Sequence, residues 1–330
     1  MRNNLKLLVF LLLCSSPVFA QAKPRLYLSS YAYDPKTGKL GSVLGLEGTA
    51  LKIAGADAAV IAVKNQVLYV KPAARKSGKP LHIELNGQPF TILKNGFVNN
   101  KVIAHRGAWK HTGATENSIA SLNAAVQIGC MGSEFDVHMS ADSVLFIHHD
   151  PVISGLKIEE STAAQLRALK LDNGEVLPTL EEYLTAGMKQ QKTKLILEIK
   201  ASVISKARGI ALEKRVLQMV QDMQAEAWVD YISFDYDICK ELIKDAPYAK
   251  IAYLNGDKSP AELAAEHFFG LDYHLSVFKK NPTWIKEAKA LNLDVNVWTV
   301  NEEADMDYFL KEGADVITTN DPELLLKKTL

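Results

Sequence analysis

From Lys101 onward the chain repeats one phrase, a short apolar run of strand character followed by a stretch of helical periodicity. Eight such runs occur, at 101–105, 133–137, 194–199, 231–235, 250–254, 271–275, 294–299 and 315–319. Helical patterns lie between them, as at 117–128, 210–225, 260–267, 283–291 and 304–312. Eight alternations predict an α/β fold of the (β/α)8, TIM-type barrel class. Pro260 and Pro282 suit first helical turns, and Gly129 and Gly313 suit the residue after a helix C-terminus. The segment 139–191 breaks the rhythm. It predicts a hairpin strand at 144–148, then a loop and one or two helices before the third barrel strand.

The grammar differs before Lys101. Short β-type runs at 26–29, 59–63, 67–70, 81–85 and 90–93 are separated by turn residues such as Asn65-Gln66, Lys76-Ser77-Gly78 and Asn86-Gly87. Alternation in Leu81-His82-Ile83-Glu84-Leu85 fits one buried face. Residues 21–99 therefore read as a small β-sandwich-like domain preceding a barrel at 100–330. The Asn- and Gly-rich stretch at 95–100 predicts a linker with few contacts crossing it.

The first twenty residues carry Arg2 and Lys6, an apolar run at 7–13, and Val18-Phe19-Ala20. That is the pattern of a secretory signal peptide cleaved before Gln21, which predicts a secreted or periplasmic protein. No other stretch is long and apolar enough for a stable membrane span. The chain has 38 basic and 38 acidic residues; without 1–20 it has 36 against 38, a formal charge of −2. This balance argues against a nucleic-acid partner. Cys130 and Cys239 are too few for a disulfide framework and read as buried free thiols.

Chemistry-bearing residues cluster where the first strands end. Glu134 and Asp136 share one face of a strand, and Glu198 shares a face with Lys200 on the next. Three carboxylates at one rim repel unless a divalent cation compensates, and an all-oxygen set favours Ca2+ or Mg2+ over Zn2+. His105 and His149 end two different strands and could deliver and remove protons on opposite sides of a scissile bond. Alternation lets one of His148 and His149 face the site; Asp150-Pro151 follows as a turn, which favours His149. His82, His111, His138, His267 and His274 read as structural. Arg106 and Lys200 add the positive charge that a phosphoryl transition state needs, and Gly107 would let the backbone approach an anionic substrate. A zinc barrel hydrolase would want further histidines, whereas strands four to eight end in Asp235, Asn255, His274, Thr299 and Thr319.

The ordered series His105-Arg106-Gly107, Glu116-Asn117, Glu134-x-Asp136, His149-Asp150, Leu177 to Glu182 and Leu197-Glu198-Ile199-Lys200 resembles the glycerophosphodiester phosphodiesterase family over about 101–330. Val297-Trp298-Thr299 and Ile317 to Pro322 resemble that family's last two strands. The resemblance implies a metal-dependent barrel that hydrolyses glycerophosphodiesters to glycerol 3-phosphate and an alcohol. It implies Glu134, Asp136 and Glu198 as ligands of Ca2+ or Mg2+, and His105 and His149 as the acid-base pair. Arg106, Lys200 and Trp298 would meet substrate, and Glu116 would orient Arg106 or do the same. Thr115 stands where the family commonly has Pro, and Ala141-Asp142-Ser143 where it has Lys-Asp-Gly. The insertion that caps the site is compact here, at 151–174. Other readings are a phospholipase D-like or phosphoinositide-cleaving enzyme, using 152–156 as a membrane-facing loop, and a non-enzyme in which residues 25–99 bind envelope or glycan and the barrel is a relic. The partner of the β region is not specified by the sequence.

Overall fold

Eight parallel strands pair in the order in which they occur along the chain, and the last closes on the first. They are β1 (Val102–Ala104), β2 (Gly132–Met139), β3 (Lys194–Ile199), β4 (Val229–Ser233), β5 (Ile251–Tyr253), β6 (Gly270–His274), β7 (Asp294–Trp298) and β8 (Val316–Thr319). This computed structural model describes residues 25–329, so the proposed signal peptide at 1–20 lies outside the described residues. Every barrel strand falls where the apolar runs predict it. The helices between them form an outer layer, and the expected hairpin strand, Leu145–Ile147, pairs antiparallel with the end of β2.

Local chemistry explains the element ends. Ser118 caps the helix Ile119–Ile128 through a reciprocal bond pair with Ser121, and Gly129 ends it in the left-handed region at φ 84°. Gly313 ends Glu303–Glu312 in the same way, and Pro260 opens Pro260–Ala265. Pro282 does not open a helix: Thr283 is the N-cap of Trp284–Ala290, and Pro282 belongs to the lead-in turn. Within the barrel Ile103, Ile196, Ile232 and Leu254 fill the interior, so the tube is packed and a ligand can enter from its rim.

The N-terminal region forms two four-stranded sheets. One contains Tyr27–Leu28, Lys39–Leu44, Val67–Val70 and Ile61–Lys64; the other contains Ala32–Tyr33, Gln88–Lys94, Leu81–Leu85 and Ile53–Ala54. Leu81–Leu85 buries alternate residues as its pattern predicts. The expectation of few contacts across the linker is overturned, because a single apolar cluster runs from these sheets into the barrel. Tyr27 and Tyr31 pack on Tyr248 with ring centroids 5.3 and 5.1 Å apart, Thr91 donates a hydrogen bond to Gln224, and the Val98 amide donates to the Lys192 carbonyl. Each barrel partner lies just before a strand, so the sheets cover the face opposite the strand C-termini. Tyr31→Ala is therefore expected to destabilise the protein by about 3 kcal/mol, read by denaturant unfolding, while turnover at low temperature stays near wild type.

Candidate active site

The alternation of β2 turns Glu134 and Asp136 inward and Phe135 outward, where its ring lies 4.3 Å from that of Tyr183. Parallel pairing sets Asp136 directly beside Glu198 on β3. All three carboxylates are buried, and an oxygen of each lies within 4.8 Å of the others. Burial, then the charges of Asp136 and Glu198, pushes the Glu134 pKa well above the carboxylate range. Burial and Asp136 push Glu198 up to about 8. Asp136 is held low, because its burial is outweighed by Lys200, His149, Asn117 and Arg106. This is a site short of positive charge. A divalent cation bound by oxygen fits that shortage, and Glu134, Asp136 and Glu198 are the residues that would hold it.

The first loop wraps around this cluster. Arg106 and Gly107 both take positive φ, at 58° and 80°, which folds the chain back so that the Arg106 amide donates to Glu134 Oε2 at 2.8 Å. A side chain at Gly107 would put Cβ 2.4 Å from Ser121 Oγ. Gly107 is thus required by the helix packed behind the loop. His105 Nε2 lies 4.0 Å from Glu134, and its Nδ1 is 2.7 Å from Asn320 Oδ1. Burial and the Arg106 charge lower the His105 pKa to about 4.

His149 follows the hairpin strand, which ends at Ile147, so both histidines lie beyond the strict alternation that predicted their facing. His149 nevertheless lines the same pocket as His105, Arg106, Glu134 and Glu198. His148 lines a neighbouring groove with Trp109, Glu116 and Lys170. The His149 ring sits 2.7 Å from Asp150 through Nδ1, which leaves Nε2 for proton transfer. Arg106 makes two contacts with Glu116, at 2.9 and 3.1 Å, so the Glu116 carboxylate is engaged in orienting that guanidinium. Lys200 Nζ lies 2.7 Å from Glu198 and 3.1 Å from Asp136, and their charges raise its pKa against the opposing effect of burial. Trp298 is in the pocket wall, but its indole N–H donates to the Asp272 carbonyl at 2.8 Å, leaving the ring face as the surface it offers.

Several residues beside these were named in the sequence without a role. Asn117 holds Asp136 from both ends, donating to Oδ2 at 2.8 Å and accepting from the Asp136 amide at 3.1 Å. Its φ of 58° is what aims it. Asn320 and Asp150 set the two imidazoles, and His138, read as structural, lies 3.2 Å from the His149 carbonyl through Nε2. The signal for Asn117 was its place next to Glu116; the signal for His138 was absent, since only the hairpin brings it near. Asn117→Ala is expected to cost about 10- to 100-fold in metal affinity or activity, measured as activity against metal concentration. An unchanged half-saturating concentration and rate would remove that role.

The zinc alternative finds no support among the described residues. Asp235 caps the helix Tyr236–Asp245, and His274 caps Leu275–Lys280 through Ser276. The membrane-facing loop needed for a lipid-cleaving reading is a tight two-stranded turn in which Ile153 is buried beneath the hairpin. No described helix is long and apolar enough to cross a membrane. Cys130 and Cys239 are free and buried, as expected.

Residues 105–324 match the sequence profile of the Glycerophosphoryl diester phosphodiesterase family. A glycerophosphodiester phosphodiesterase of Caldanaerobacter subterraneus is 28% identical over 242 residues, covering 68% of this chain and 96% of the relative. One from Bacillus altitudinis is 26% identical over 245 residues, covering 69% and 97%. The crystal structure of a glycerophosphodiester phosphodiesterase from Parabacteroides distasonis is 45% identical and superimposes with a TM-score of 0.69, covering 71% of this chain and 98% of that one. The matched profile begins at His105 and leaves the N-terminal sheets outside it.

Proposed function

The chain belongs to the glycerophosphoryl diester phosphodiesterase family and is a phosphoric diester hydrolase, and from this we propose an exported, divalent-metal-dependent enzyme that releases glycerol 3-phosphate from deacylated phospholipid head groups. The observation that carries the reading is one pocket lined by two imidazoles, an arginine and carboxylates of the buried acidic triad. Export rests on the pattern of residues 1–20 alone. A relic would be expected to have lost an imidazole or a carboxylate, and the pocket keeps His105, His149 and the three acids, which favours the enzyme reading.

In this proposal Glu134, Asp136 and Glu198 would hold the cation, Ca2+ or Mg2+, which would supply positive charge to stabilise the phosphoryl transition state. Arg106, braced by Glu116, binds the phosphate. Lys200 neutralises Asp136 and Glu198 so that three acids can share one buried corner. His105 and His149, each fixed through Nδ1, present Nε2 to the pocket; one removes a proton from the attacking oxygen, either water or the neighbouring glycerol hydroxyl whose cyclic phosphate water then opens, and the other delivers one to the departing alcohol. Ile232, Phe234, Leu254 and Trp298 form an apolar wall that strengthens these charge interactions by excluding water.

Glycerol 3-phosphate release should be followed over a panel of glycerophosphodiesters with different head groups, using enzyme supplied in turn with Ca2+, Mg2+ or Zn2+. Release from several members is the expected result. Cleavage on the other side of the phosphate, giving glycerol and a phosphorylated head group, would overturn the stated reaction.

A further inference from the structure

The phosphate-handling groups of the pocket come from β1, β2, β3 and the hairpin, which leaves the opposite side of the barrel without an assigned role. Among the described residues that side contributes one buried acid to the pocket lining. Asp272 on β6 is 2% exposed, lines the same pocket as His105, Arg106 and His149, and has a carboxylate oxygen, Oδ1, with no hydrogen-bond partner. Asn296 on β7, its polar neighbour, also donates to Thr318 Oγ1 on β8 at 2.9 Å. Thr318 also lines the pocket. The Trp298 indole donates to the Asp272 backbone carbonyl, so the one aromatic N–H nearby is not available to the carboxylate.

A buried carboxylate oxygen without a donor costs free energy, and a structure keeps one where something else supplies the donor. Burial, partly offset by a hydrogen bond from Asn296, pushes the Asp272 pKa up to about 7, consistent with a group lacking a second donor. The cation-poor far side of the pocket offers nothing to a second anionic group and would repel it. It suits a neutral polyol.

We propose that Asp272 is a specificity-determining residue, its free Oδ1 accepting a hydrogen bond from the terminal hydroxyl of the glycerol that stays esterified to phosphate. Thr318 stands beside it as a further polar contact. The charged wall then reads the phosphate and Asp272 reads the polyol, so that selection for glycerol is separate from selection for the head group. This inference rests on the proposed phosphodiesterase reading.

The test compares three substrates and two proteins. Wild type and Asp272→Leu, which removes the acceptor that an asparagine oxygen would keep, both loaded with metal, are assayed on glycerophosphoethanolamine and on its analogue lacking the terminal glycerol hydroxyl, with an aryl phosphodiester as a glycerol-free control. Hydrogen bonds to charged groups predict a loss of about 10- to 100-fold in kcat/KM, for the variant on the full substrate and for wild type on the deoxy analogue. The variant should lose little more on the analogue, because the partner is already gone. On the aryl diester the change should stay within about threefold, within the scatter of a local substitution. Equal losses on all three substrates, or wild type that does not distinguish the full substrate from the analogue, overturns the proposal. The wild-type comparison decides the matter even if the variant does not fold. Failure of wild type on every glycerophosphodiester, with the aryl diester still cleaved, counts against the glycerophosphodiester reading itself.

Discussion

Replacing Glu134 by glutamine is expected to reduce turnover by on the order of 10³-fold, since a bound cation contributes several kcal/mol to a phosphoryl transition state and tenfold in rate is about 1.4 kcal/mol. The substitution is close to isosteric, and an amide oxygen can still accept the bond from the Arg106 amide. It also resembles the neutral acid that burial and its two acidic neighbours favour when no cation is present. The fold should therefore survive, and in chelator the variant should melt at or above wild type. Chelation of the wild-type protein should abolish activity and lower its Tm by about 5 °C if metal is present at about a hundred times its Kd. Activity should return with Ca2+ or Mg2+. Recovery with Zn2+ alone would sink the assignment of an all-oxygen site.

His149→Ala should lose about 10² to 10⁴ in kcat, the range of a general acid or base, whereas His148→Ala should lose less than about threefold, as substitutions away from such groups do. The two rings are adjacent in sequence and diverge in space. His149 lines the pocket of the acidic triad, while His148 lines the neighbouring groove and contacts the Asp150 carbonyl through Nδ1 at 2.8 Å. Kinetics on a glycerophosphodiester, together with melting curves to show that both variants fold, decide the matter. Inactive His148→Ala beside active His149→Ala would reverse the facing and dissolve the pairing with His105.

Much of this molecule was legible from Lys101 onward because a barrel strand writes its signal locally. Each is an apolar run bounded by turns, and each run recurred where the structure has a strand. The facing of Glu134, Asp136 and Glu198 followed from a period of two, which needs no knowledge of the rest of the fold. The N-terminal region was less legible. Lys39–Leu44 pairs in a sheet although Gly41 and Ser42 interrupt its apolar pattern, because its register shifts around Gly41 against Val67–Val70. Pairing between strands far apart in sequence leaves no local mark.

The sequence by itself determined the positions of the eight barrel strands, the inward acids and the two histidines just beyond strand ends, since these depend on residue type and on the geometry of a single strand. Tertiary structure alone decided three things. It aimed Asn117 at Asp136 and Asn320 at His105, contacts that span 19 and 215 residues and need the barrel to close. It seated the β region on the far end of the barrel through Tyr248 instead of leaving it tethered. It also left Asp272 Oδ1 without a donor in the pocket. Whether a buried polar atom has a partner is a property of everything packed around it, and strand periodicity carries no record of that.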